Sequence, residues 1–106
     1  LRMTNPRITR FQDLVAKQPD NEMFRFSLAQ ALDAAGESDA AETHYRTCVD
    51  VKTDWMLPRI LLGKLLLKSG RSTEAKPLLE NALQLAIDQD HEDPATELQE
   101  LLRDLM

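Results

Sequence analysis

The hydrophobic positions of this chain follow a helical spacing that repeats after thirty-four residues. Residues 22–55 align with residues 56–89 without a gap, and seven of the thirty-four aligned pairs are identical. About two identities are expected by chance at average composition. The identical pairs are Arg25/Arg59, Leu28/Leu62, Leu32/Leu66, Gly36/Gly70, Ser38/Ser72, Ala41/Ala75 and Asp54/Asp88. A fixed period of this length is typical of a repeat architecture.

Each period predicts two short helices. In the first period, apolar side chains recur at helical spacing over residues 23–32, and Gly36 supplies the positive φ that ends a helix. Ser38 is expected to cap the second helix, whose buried stripe runs from Ala41 to Val51. The same pattern follows one period later, so the sequence predicts two consecutive helix pairs.

The spacing of small and large residues resembles the tetratricopeptide repeat, TPR, which has the same period. The residues that carry this resemblance are Leu28-Ala29-x2-Leu32 and Ala41-x3-Tyr45, and then Leu62-Gly63-x2-Leu66 and Ala75-x3-Leu79. The resemblance implies an all-α, TPR-like right-handed superhelix of antiparallel helix pairs. Two features depart from the family: Arg25 and Arg59 stand where it carries a large aromatic, and Thr53 and Ile87 replace its closing proline.

The expected organisation is one TPR domain over residues 1–106 with a capping helix at each end. An Asn-Pro and an Asp-Pro step mark the starts of the two flanking helices. The segments are the N-terminal capping helix 4–19, repeat 1 at 22–55, repeat 2 at 56–89 and the C-terminal capping helix 93–106. Six helices are predicted, at about 6–18, 21–35, 38–52, 55–69, 72–89 and 94–106.

Composition and charge narrow the possible partners. The net charge is -5, and no stripe of arginines alternates with aromatics, so a nucleic-acid partner is not expected. No apolar stretch approaches the ~20 residues that span a bilayer, so no membrane partner is expected either. The single cysteine cannot form an internal disulfide, which agrees with a cytoplasmic location.

Two groups of residues could carry chemistry. Cys48 and His44 are four apart on one helix, and a Cys-His pair is a known nucleophile arrangement. Cys48 aligns with Ala82, however, at a small buried place of the repeat, which favours a packing role. The acidic run at 88–93 has no calcium-loop or zinc spacing and is expected to be a solvated connection in which Asp93 caps the next helix. We therefore expect no enzyme activity, no cofactor and no metal site.

In the TPR fold, the first helices of successive repeats line a concave groove. The resemblance assigns to this groove Met23, Phe26, Ser27, Gln30 and Asp33 from repeat 1, and Leu57, Ile60, Leu61, Lys64, Leu67 and Lys68 from repeat 2. Many of these residues are apolar, which predicts that something covers them. Phe26 and Ile60 are expected to be anchor residues whose truncation weakens partner binding while the fold survives.

Three occupants of the groove are compatible with the sequence. The first is a peptide or helix of a partner protein, with Lys64 and Lys68 available for its carboxylates. The second is another copy of the chain, which would make a homodimer. The third is the chain's own terminal helix, which would leave the basic edge of the groove accessible. Chaperone-binding TPR members hold a C-terminal carboxylate with a clamp of basic residues and asparagines, and Phe26, Gln30 and Leu61 do not supply it.

The sequence therefore predicts a non-catalytic protein-protein interaction or scaffold module that binds a peptide or helix in the concave groove. A self-associating structural unit that uses the same apolar face is the alternative. An enzyme that uses Cys48 and His44 is a remote second alternative.

Overall fold

The computed structural model describes residues 5–105, and all regular secondary structure in that range is helical. The six helices are α1 (Pro6–Lys17), α2 (Glu22–Ala34), α3 (Ser38–Val51), α4 (Met56–Lys68), α5 (Ser72–Asp88) and α6 (Glu92–Asp104). The all-α prediction is confirmed, and each predicted helix is present. The predicted boundaries at residues 1, 4 and 106 lie outside the described residues.

The chain forms two compact units, the first ending at Val51 and the second beginning at Lys52. In unit 1, α2 packs against both α1 and α3; in unit 2, α5 packs against both α4 and α6. The repeat pairs α2–α3 and α4–α5 are each joined by a three-residue connection. The division into one domain with capping helices stays a prediction.

Asparagine side chains cap the N-termini of α1 and α2. The Oδ1 of Asn5 accepts hydrogen bonds from the backbone N–H groups of Arg7, at 3.1 Å, and Ile8, at 3.3 Å. The Oδ1 of Asn21 accepts one from Phe24 N–H at 3.1 Å. These bonds satisfy donors that a helix N-terminus cannot pair internally.

For the later helices, the predicted capping residues lie inside the helix instead of at its N-cap. Ser38 is the first residue of α3, and Ser72 is the first residue of α5 with Arg71 at its N-cap. Asp93 lies inside the first turn of α6, whose N-cap is His91, so the prediction that Asp93 caps this helix is wrong. Acidic side chains in the first turn still complement the positive end of the helix dipole.

Helices α2, α4 and α5 are each followed, two positions after their last residue, by a residue in the left-handed conformation. Gly36 has φ 78° and Gly70 has φ 73°. After α2, the N–H of Glu37 donates to the carbonyl of Leu32 at 2.9 Å, and an equivalent bond follows α4. Asp90 takes the same place after α5 with φ 58°. Each bond satisfies a carbonyl that the helix leaves unpaired at its end.

The core of each unit is built from the positions that define the repeat. The buried residues shared by both repeats are Phe26, Leu28, Ala29, Ala31, Leu32, Ala41, Tyr45 and Cys48 in unit 1, and Ile60, Leu62, Gly63, Leu65, Leu66, Ala75, Leu79 and Ala82 in unit 2. Their small members allow the two helices of a pair to approach closely. The structure thus confirms the packing positions that the sequence predicts.

Helices α4 and α5 approach each other closely at Gly63. A Cβ atom on this residue would lie 2.5 Å from Leu79 Cδ2 and 2.7 Å from Leu79 Cγ. Leu79 is fully buried, so it has little room to move away. In unit 1 the equivalent residues are Ala29 and Tyr45, so an alanine there faces a tyrosine instead of a leucine. Gly63 is therefore required by the leucine that faces it.

We predict that Gly63→Ala destabilises the protein by about 1 to 3 kcal/mol, because overpacking outweighs the gain in helix propensity. The free energy of unfolding in urea measures this effect. The matched control is Gln99→Ala on the exposed surface of α6, which should change stability by less than about 0.5 kcal/mol. A Gly63→Ala protein as stable as the wild type would show that the helices separate without cost.

Candidate functional site

The first helix of repeat 1 presents a mixed surface. Met23 is 55% exposed, while Ser27, Gln30 and Asp33 are half-buried. Phe26 retains only 4% of its surface. We call Met23, Ser27, Gln30 and Asp33 the unit 1 face.

Phe26 belongs to the core of unit 1. Its ring lies 6.1 Å from the ring of Tyr45, centroid to centroid, at an interplanar angle of 55°. This tilted arrangement is a favourable one for two buried aromatic rings. The expectation that Phe26 is an accessible anchor residue is wrong, because helical spacing alone does not show which apolar positions are covered.

Asp33 is also engaged inside unit 1. The hydroxyl of Tyr45 donates a hydrogen bond to Asp33 Oδ2 at 3.0 Å. Burial raises the pKa of the Tyr45 hydroxyl, and the Asp33 hydrogen bond and charge raise it further. Asp33 therefore supports the α2–α3 pair, and a partner would meet a carboxylate that is already hydrogen-bonded.

The first helix of repeat 2 is more apolar. Leu57 is 43% exposed, and Leu61 and Leu67 are half-buried. Ile60 keeps 8% of its surface, so it too is a core residue and not the accessible anchor that the sequence predicted. We call Leu57, Leu61, Lys64, Leu67 and Lys68 the unit 2 face.

Lys64 forms an ion pair with the C-terminal helix. Its Nζ donates to Glu97 Oε1 at 2.6 Å, and both side chains are partly exposed. Such a pair contributes little to stability in water. The basic edge of the groove consists of Lys64 and Lys68, and the terminal helix was expected to leave both accessible. The structure contradicts this expectation, because Lys64 pairs with Glu97 of α6 while Lys68 stays exposed.

Helix α6 uses its apolar side within unit 2. Leu98 is fully buried, while Leu101, Leu102 and Leu105 are half-buried. The main contacts of this helix are with α5. The terminal helix was one of the three occupants considered for the groove. It contacts the unit 2 face through the ion pair between Glu97 and Lys64, and it leaves Leu57 exposed.

Two exposed apolar residues lie outside the predicted site. Val51, at the end of α3, is 65% exposed, which contradicts its expected place on the buried stripe. Ile87, near the end of α5, is 49% exposed. The sequence signal at Ile87 was its replacement of the family's closing proline. The two residues show that exposed apolar surface is not confined to the first helices.

Cys48 and His44 contact different groups in the structure. The Cys48 thiol faces the carbonyl of Glu22, with a Sγ–O distance of 4.0 Å, while His44 Nδ1 lies 3.3 Å from Arg25 Nη1. Burial raises the pKa of the Cys48 thiol to about 11. A thiol that resists ionisation is a poor nucleophile, so the local environment favours packing over catalysis.

An arginine occupies the same place in both repeats and makes the same contact. Arg25 Nη2 donates to the carbonyl of Pro19 at 3.3 Å, and Arg59 Nη2 donates to the carbonyl of Thr53 at 2.8 Å. The two acceptors are themselves one period apart. The two arginines are one of the identical pairs of the repeat and depart from the family aromatic, but the sequence alone did not predict this shared contact.

Within residues 5–105, no group of three or more His, Cys, Asp or Glu side chains is placed to hold a metal ion. No helix in the described part of the chain is long and apolar enough to cross a membrane.

Paired helices on a fixed period define a helical-repeat protein, and comparison with known families identifies which kind. Two models of the family described as tetratricopeptide repeat match the chain, one over residues 23–47 and the other over residues 59–86. The chain belongs to the tetratricopeptide repeat family. A comparison with curated protein sequences finds no significant match.

Solved structures share this fold. The type III secretion translocator chaperone SycD of Yersinia enterocolitica superposes with a TM-score of 0.87 at 20% identity, over 92% of this chain and 68% of that one. A second SycD structure, an alternative dimer, gives 0.84 at 20% identity, over 92% and 75%. Protein BPP2914 of Bordetella parapertussis gives 0.79 at 28% identity, over 97% and 89%. These likenesses support the helical-repeat fold.

We predict that Phe26→Ala destabilises the protein by about 3 to 5 kcal/mol and Ile60→Ala by about 2 to 5 kcal/mol, because each removes a buried side chain. Urea unfolding curves measure both losses. The control is Met23→Ala, whose exposed side chain should cost less than about 0.5 kcal/mol. If Phe26→Ala or Ile60→Ala kept wild-type stability, the residue would be an accessible surface residue after all.

A further prediction concerns His44. Burial, and then the Arg25 charge, lower the pKa of His44 below its ordinary 6.5. The unfolded chain therefore binds this proton at higher pH than the folded chain, so the stabilisation is present above about pH 6.5 and is lost as the pH falls. The free energy of unfolding of the wild type should decline more steeply than that of His44→Gln between about pH 7.5 and pH 5.5. Parallel pH profiles would contradict this assignment.

Proposed function

We propose that the protein is a non-catalytic protein-interaction module whose partner, a peptide or helix, contacts the unit 1 and unit 2 faces. The observation that carries this proposal is the pair Met23 and Leu57, which are 55% and 43% exposed. They occupy the same position in the two repeats, one period apart. An apolar side chain exposed twice at one structural position supports a binding role more strongly than a single exposed residue does.

The chemistry of the two faces describes the partner. Met23 is flanked by polar groups of Ser27 and Gln30, whereas Leu57 is accompanied by the half-buried Leu61 and Leu67. The unit 2 face therefore suits apolar side chains of a partner, and the unit 1 face suits hydrogen-bonding groups. Lys68 is exposed at the end of α4 and favours a partner that places an acidic group beside it. The concave groove itself stays a prediction from the family.

The comparisons support a role in binding proteins. The Yersinia neighbour in fold is described as a type III secretion translocator chaperone. We carry over only the coarse role of protein binding, because 20% identity supports a shared fold and not a shared partner. Burial raises the pKa of the Cys48 thiol, which disfavours the alternative of an enzyme that uses Cys48 and His44. The cytoplasmic location stays a prediction from the sequence, with which the single cysteine agrees.

Self-association is the second candidate. The exposed Val51 and Ile87 give the chain further apolar surface beyond the two faces. One of the SycD structures is described as an alternative dimer, which adds support at the level of the fold. In this candidate, the apolar residues of the unit 1 and unit 2 faces would contact another copy of the chain.

The experiment uses the whole chain as bait in an extract of its source cell, followed by affinity measurement with the captured protein in pure form. Met23→Glu/Leu57→Glu should weaken binding by about five- to thirtyfold, because a charge replaces two apolar contacts. The matched control is Val51→Glu/Ile87→Glu, which changes two exposed apolar residues outside the faces and should bind as the wild type does.

Two outcomes would contradict the proposal. Equal binding by the wild type and Met23→Glu/Leu57→Glu would exclude the faces as the contact surface. A wild-type chain that captures no protein and forms a dimer in a sedimentation concentration series, with the dimer lost in the same double variant, would favour self-association instead.

A further inference from the structure

The arginines at the shared repeat position line two equivalent cavities. In unit 1, a cavity of about 360 Å³ contains Arg25. In unit 2, a cavity of about 340 Å³ contains Arg59. The unit 2 cavity lies between the start of α4 and the second half of α5, and its lining is Thr53, Arg59, Asn81, Gln84 and Leu85. We call it the Arg59 cavity.

The two arginines differ in how fully their donors are used. Arg25 contacts both the Pro19 carbonyl and His44 Nδ1, at 3.3 Å each. One period after His44 the residue is Leu78, whose side chain offers no acceptor. Arg59 Nε is buried and has no hydrogen-bond partner among the residues that the structure describes. A buried donor without an acceptor is costly, and native proteins leave few of them.

The charge of the two cavities also differs. The unit 1 cavity includes Asp20 and Glu22, so its arginine already lies among carboxylates. The side chains that line the Arg59 cavity include one cation and no acidic residue. Of the lining side chains, Gln84 donates its amide to the carboxylate of Asp88 at 2.8 Å. The lining of the Arg59 cavity therefore carries a positive charge without a carboxylate, whereas the lining of the unit 1 cavity carries both.

We propose that the Arg59 cavity binds a carboxylate group. The planar guanidinium of Arg59 matches the geometry of a carboxylate and supplies charge-assisted hydrogen bonds. Asn81 and Thr53 add neutral amide and hydroxyl donors, and the half-buried Leu85 offers an apolar wall for the methylene groups of the ligand. With one cation, the cavity suits a monoanion better than a phosphate.

This site is separate from the unit 1 and unit 2 faces. None of its lining residues belongs to either face, so the proposal does not depend on the function proposed above. The carboxylate can come from a glutamate side chain or from the C-terminus of a chain, since both present the same group. The experiment distinguishes these two sources.

The test follows the Nε–Hε resonance of Arg59 by NMR in the full ¹⁵N-labelled chain. Three probes are titrated: N-acetyl-glutamate amide for a side-chain carboxylate, N-acetyl-leucine for a C-terminal carboxylate, and the neutral N-acetyl-glutamine amide. At least one of the two carboxylates should shift the Arg59 and Asn81 signals saturably, while the neutral probe should not. The tighter of the two identifies the source. If neither carboxylate exceeded the neutral probe, the proposal would be overturned.

Variants test whether Arg59 carries the binding. Arg59→Gln should weaken the tighter probe by at least about tenfold, because a charge-assisted hydrogen bond is lost. Thr47→Ala, at the place in repeat 1 that corresponds to Asn81, is the matched control and should bind as the wild type does. Unchanged affinity in a folded Arg59→Gln protein would overturn the proposal. Should Arg59→Gln fail to fold, the exposed Asn81→Ala variant decides: weaker binding supports the site, and unchanged binding overturns it.

Discussion

Close contact between the two helices of each repeat is the constraint on which the rest of the structure depends. It is made possible by Ala29 and Ala41 in unit 1, and by Gly63 and Ala75 in unit 2, all of them buried. A larger side chain at Gly63 would meet Leu79 before the helices reached their observed separation. Once the helices are this close, the leucines around these positions are covered, and the remaining positions on the first helix are those that solvent or a partner can reach.

The fold could be predicted from the sequence because packing and turn chemistry recur with the period. Gly36 and Gly70 have the positive φ that their positions require, and the predicted small residues are buried. Asp90 was harder to find, since a non-glycine residue in the left-handed conformation leaves a weaker signal. The start of α6 was misplaced at Asp93, because an Asp-Pro step fits a cap as well as it fits a first turn.

The candidate site was less predictable. The spacing that puts Phe26 and Ile60 on a face of the first helix does not show what lies over that face, and both residues are buried. Nor could the sequence show that Lys64 pairs with Glu97, since the two are far apart along the chain. The alignment did indicate where the repeats diverge. Leu78 replaces His44, so Arg59 lacks the imidazole that lies beside Arg25 Nη1. In addition, Arg59 Nε is buried and has no hydrogen-bond partner among the described residues.

The division into two units has a consequence for how the chain folds. Within each unit, the helices that pack together are consecutive in sequence: α1, α2 and α3 in one, and α4, α5 and α6 in the other. Contacts between neighbours close only short loops, so the entropic barrier to forming them is small and folding is expected to be fast. Because each unit holds its own helix pair and its own buried residues, either one can nucleate the process. Formation of the first helix pair is therefore not tied to one end of the chain.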